Sequence, residues 1–189
     1  MVAGARSRRG PPVTAPGPMR PSGSMTQLAV SVRAPSGPAF TVVLVCHVAA
    51  VLVALVALVS GAIAAARLRH ARGDLPQSVR SYFAPGTNWA GRVLYLVPAF
   101  GAALLAMSGG AYRPDAPWVE WGMGLWVAAT LLAEGVVWPA ERRIRRALAV
   151  PGEDGVPASA RGPARTVCIS SVAVVAILVA AMVVMVAKP

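Results

Sequence analysis

His47 and Glu134 are the ionisable side chains that the sequence sets deep inside long apolar runs. Such a group in hydrocarbon is costly and marks a functional site unless a structural partner relieves it. His47 follows Cys46, and Met107, Met123, Met182 and Met185 fall in the corresponding outer third of their own runs. An imidazole with a thiol and several thioethers is a donor set that suits Cu(I). These six residues are therefore a candidate outward-facing site for binding or passing copper. The structural alternative is that the methionines fill gaps in apolar helices and that the histidine bonds to a neighbouring backbone carbonyl.

Glu134 belongs elsewhere. His47 lies about 10 Å below one end of its run and Glu134 about 24 Å below the same end of its own, at 1.5 Å per residue. That gap excludes a direct pair or a shared metal ion. Glu134 shares its depth with Arg92, and an Arg92–Glu134 ion pair is expected to fix two helices together. Snorkelling of Glu134 to water and a proton or substrate role are the alternatives. A bis-histidine haem needs a second intramembrane imidazole, and His70 falls in a loop. No Ser–His–Asp set, zinc spacing, His–Glu protease spacing or phosphate-binding glycine loop occurs, so no enzyme is expected.

The elements that must position these residues are four apolar runs. The first, residues 40–66, has no formal charge. Its 27 residues would reach about 40 Å, where crossing a ~30 Å hydrocarbon layer takes about 20 residues. The others are 93–112, which contains Pro98, then 118–138, framed by Trp118, Trp121 and Trp138, and 167–187. Tryptophan favours the headgroup level, so those three mark two interfaces one bilayer apart. The expected fold is all-α: a polytopic four-helix transmembrane bundle over residues 39–187. Ala102, Ala106 and Gly110 are spaced to let helices approach closely.

Between the runs the chain is polar and basic. Residues 1–38 are rich in Pro, Gly, Ser and Arg and are expected to be disordered; Met25 is an alternative start that would make residues 1–24 an over-extended gene start. Residues 75–83 form either a short interfacial helix, with Val79, Tyr82 and Phe83 towards lipid, or an ordinary loop. The net charge of +11 could suggest nucleic acid, but the arginines sit in loops beside apolar runs, as membrane topology requires. Loops 67–92 and 139–166 carry most of them and are placed in the cytoplasm, with both termini outside. The 141–146 cluster reads as a topology anchor or an attractor of anionic lipid. Cys46 and Cys168 fall near opposite faces of the membrane, too far apart for a disulfide. Abundant Arg, Ala, Val, Gly and Pro suggest a GC-rich bacterial genome.

The stretches CHVAAVLVALVALVSG and WPAERRIRRAL resemble a bacterial family of predicted integral membrane proteins of unknown function, itself distantly similar to the copper-resistance D membrane domain. The resemblance covers roughly residues 40–187. The family's usual Leu before the histidine is Cys46 here, and the Trp often found after it is missing. The resemblance implies a four-helix membrane bundle. The expected function is a non-enzymatic scaffold or accessory subunit of the bacterial cell membrane without a cofactor. A copper-handling protein and a small oligomeric transporter are the alternatives. The expected partners are the lipid bilayer and a second copy or a larger membrane complex.

Overall fold

The computed structural model describes residues 37–84, 86, 89–149 and 156–187. The amino-terminal tail, the alternative start at Met25 and the middle of the 139–166 loop lie outside the described residues. The first span is α1 (Pro38–His70). It opens with Pro38 in the first turn, where a missing N–H costs nothing, and Thr41 Oγ1 donates to Gly37 O at 3.1 Å. It ends with Arg67, Arg69 and His70 in its last turn, cations at the negative end of the helix dipole. His70 is thus helical, not in a loop.

A short α2 (Gln77–Tyr82) follows, and α3 (Trp89–Arg92) leads through a 3₁₀ turn (Val93–Tyr95) into α4 (Leu96–Met107). Together the last three form the second span. It stops earlier than expected: Gly109 and Gly110 take φ of 58° and 88°, a left-handed turn that an L side chain resists. Gly110 therefore leaves the helix, and Ala102 and Ala106 are exposed; the small-residue stripe presents no close helix contact. In the connection, two hydrogen bonds from Arg113 hold the Asp115 carboxyl below its ordinary pKa.

The third span is continuous through α5 (Pro117–Leu132), a π-helical turn (Ala133–Val137) and α6 (Trp138–Leu148). Pro139 has no N–H, and its ring would crowd the carbonyl four residues back. The widened turn sits directly before it and makes room. The fourth span is α7 (Ala158–Ala187), which contains Pro163. Among the described residues these four helices are long and apolar enough to cross a membrane. The chain is an all-α, multi-pass membrane protein.

Three of the four outrun their apolar segments. The third continues to Leu148, the fourth begins at Ala158, and the first reaches His70. Hydrophobicity stops where the bilayer does, but Ala, Arg and Glu still favour a helix. A second pattern takes over there: on α6, Ala140, Glu141 and Ile144 are buried while Arg142, Arg143 and Arg146 are exposed. This spacing is that of a helix half in contact with protein and half with water.

The core gathers at this arginine-rich end. Leu68, Val79, Ile144, Ala160 and Ala164 are all but sealed from solvent and belong to one cluster with Phe83. So α2 is a cap on protein, and Val79 and Phe83 do not face lipid. The spans themselves are loosely covered: α7 packs between α1 and α5, α4 leans on α1, and α4 buries none of its residues. Val42, Val45 and Val56 are more than 60% exposed, which suits a lipid solvent. Ile144→Ala should accordingly cost about 2–5 kcal/mol by denaturation in mild detergent, whereas Val45→Ala should change stability by less than about 0.5 kcal/mol.

Candidate functional site

Pro98 fixes the first polar tie. In an α-helix its absent N–H would have met the carbonyl of Leu94. The indole Nε1–H of Trp126 donates to that carbonyl instead, at 3.1 Å. In hydrocarbon no water can make this bond, so a neighbouring helix must. One turn along, His47 Nδ1 lies 3.0 Å from Val97 O. As donor, the imidazole pins α1 to α4 next to Gly101, where a Cβ would meet the ring at 3.5 Å.

The second tie closes spans two and three. Tyr95 donates its hydroxyl to Glu134 Oε1, and its ring lies 6.0 Å from that of Trp138. The Arg92 guanidinium stands 5.1 Å from the centre of the Trp138 ring, a cation–π contact. The expected Arg92–Glu134 salt bridge is not formed. The 3₁₀ turn rotates Tyr95 onto the carboxylate, and Arg92 takes the indole face. Both residues do join the second and third spans, by different bonds. Glu134 is exposed on the single chain and sits in the π turn.

The third tie lies at the arginine-rich end. Glu141 is only 4% exposed. Tyr82 donates to its Oε1 at 3.0 Å, and Arg145, one helical turn on, approaches its Oε2 at 3.5 Å. Arg145 also donates to the Gly86 carbonyl, which secures the segment after α2. All this rests on Gly61: a Cβ there would stand 2.6 Å from the Tyr82 hydroxyl oxygen and 3.3 Å from Glu141 Oε1. No side chain fits between α1 and the pair.

The six candidate copper ligands have different surroundings. Cys46 and His47 are adjacent in an α-helix and so point about 100° apart. Met107, Met123 and Met182 are each more than a third exposed. Met185 lays its side chain over Gly122, where a Cβ would meet its methyl at 2.5 Å. It fills the gap between α5 and α7. No hydrogen bond joins His47 to any of these sulfurs, and its Nδ1 is engaged with the Val97 carbonyl. Among the described residues no three His, Cys, Asp or Glu side chains converge as a metal-binding group.

Sequence reasoning missed Tyr82, Tyr95, Trp126 and Glu141. One signal was available: Pro98 names Leu94 as the carbonyl in need of a donor. Another was the spacing of Glu141, Ile144 and Arg145, which suits a buried helix face. Comparison with protein-family models, curated proteins and solved structures gives no match to this chain.

Trp126→Phe should cost about 1 kcal/mol or more by leaving the Leu94 carbonyl unmet. Pro98→Ala restores an N–H at position 98, so the same substitution should cost markedly less in that background. A double-mutant cycle measured by unfolding in detergent reads the coupling directly.

Proposed function

We propose that the protein is a non-enzymatic scaffold or accessory subunit of a bacterial plasma membrane. The observation that supports this reading is what its intramembrane polar groups do. His47, Trp126, Tyr95 and Glu134 are each engaged in a bond that ties one span to another. These bonds hold the first three spans in fixed relation, α7 packs against α1 and α5, and long apolar faces are left outward. A bacterial source rests on the Arg-, Ala- and Gly-rich composition. Membership of the uncharacterised membrane-protein family rests on the motifs around His47 and Trp138.

The proposed orientation puts the arginine-rich end in the cytoplasm and both termini outside. Exposed Arg69, Arg80, Arg142, Arg143, Arg146, Arg161 and Arg165 stand at that end, and only Arg113 lies in the short connection at the other. An excess of arginine near span ends is retained on the cytoplasmic side.

Two measurements test the proposal. In a variant lacking Cys46 and Cys168, a cysteine at position 143 should be labelled by an impermeant maleimide only after cells are opened, and one at position 114 in intact cells. The reverse pattern overturns the orientation. Protein purified with copper present should carry no more metal than its His47→Ala variant. One equivalent of copper that disappears in His47→Ala would replace the scaffold reading with the copper-handling one.

A further inference from the structure

We propose that the groove between α1 and the α2–α3 segment holds one acyl chain of an anionic phospholipid, with the lipid phosphate at its arginine-rich mouth. The inference is independent of the scaffold reading. The groove has a volume of about 450 Å³. Leu52, Val53, Val56 and Ala57 line its apolar length, and Ser60 and Tyr82 stand at one end. Polarity therefore changes along it in one direction, as it does along a lipid.

The dimensions agree with that occupant. From Leu52 to Ser60 the helix rises about 12 Å. One leaflet contributes about 15 Å of hydrocarbon, half of a ~30 Å core. The polar end lies where α1 leaves its apolar segment: Tyr82 reaches over Gly61, and six residues further on comes Arg67. The groove thus runs from mid-bilayer to the headgroup level on the arginine-rich side.

Charge selects the headgroup. Arg67 lies seven residues past Ser60 on the same face of α1, and its guanidinium donates to Ser78 Oγ of α2 at 3.4 Å. Arg145 donates to the carbonyl of Gly86 between α2 and α3. The carboxylate nearest this mouth, Glu141, is already bonded to Tyr82 and Arg145. An incoming phosphate therefore meets arginines, each worth roughly fivefold in affinity for an anionic headgroup. A zwitterionic headgroup gains little from them.

The full chain in mild detergent, mixed with equal amounts of palmitoyl-oleoyl phosphatidylglycerol and phosphatidylcholine, provides the test by native mass spectrometry. One phosphatidylglycerol should stay bound per chain, retained at least about tenfold over phosphatidylcholine, given two or more participating arginines. Val56→Trp and, separately, Leu52→Trp should fill the groove and cut retention about as much. Both positions are more than half exposed, so neither change disturbs the core, and an unaltered melting temperature verifies this. Arg67→Gln should lower the preference for phosphatidylglycerol roughly fivefold. Equal retention of the two lipids, unchanged retention in both tryptophan variants, or a dimeric mass whose copies exclude lipid from this face would overturn the proposal.

Discussion

A mismatch of length governs this molecule. A helix of 33 residues is about 50 Å long, and the hydrocarbon it crosses is about 30 Å. Helices α1 and α7 and the combined α5–α6 rod therefore cannot keep all their turns in lipid. Their surplus collects at one end, where apolar side chains would meet water unless they met each other. Leu68, Ile144, Ala160 and Ala164 seal the space between the helices, and α2 covers it with Val79 and Phe83. Arginines face outward from the same turns. The result is a packed collar that borrows the logic of a soluble protein, attached to spans that follow the logic of lipid.

Within the spans the governing cost is the unsatisfied backbone group. Water is absent, so each interruption of the helical ladder needs a protein partner. Pro98 opens the second span, and Trp126 of the third closes the gap. His47 reaches from the first span to the same stretch of backbone. These bonds matter more because α4 buries no side chain of its own. A loosely packed helix is held by a few directed contacts where packing would otherwise do the work. Tyr95, Trp138 and Arg92 extend the same principle to the interface, and Glu141 carries it into the collar.

The spans were legible in the sequence because a long apolar run has few other physical uses. The continuation of those spans was not. At Trp138 and Val167 hydrophobicity falls, and a reading based on it ends the helix there. The collar is written instead in the four-residue spacing of Ala140 and Ile144 and of Ala160 and Ala164, too short and too alanine-rich to stand out. His47 was visible as an intramembrane histidine, and its alternative role as a donor to a carbonyl was visible with it. The identity of that carbonyl depended on how α1 meets α4, which no local pattern specifies. The Arg92–Glu134 expectation matched charge by depth alone. It overlooked that a 3₁₀ turn would place Tyr95 on Glu134 and that an indole face would take Arg92.

Hydrogen exchange of the full chain in lipid nanodiscs tests the collar most directly. Residues 140–148 and 160–166 lie beyond the apolar segments and have access to water. Packed helices there predict amides that exchange far more slowly than those of an unstructured peptide, and that become fast in Ile144→Ala. Exchange at unstructured rates in the unaltered protein would mean that the helices end with their apolar runs and that the core described at that end does not exist.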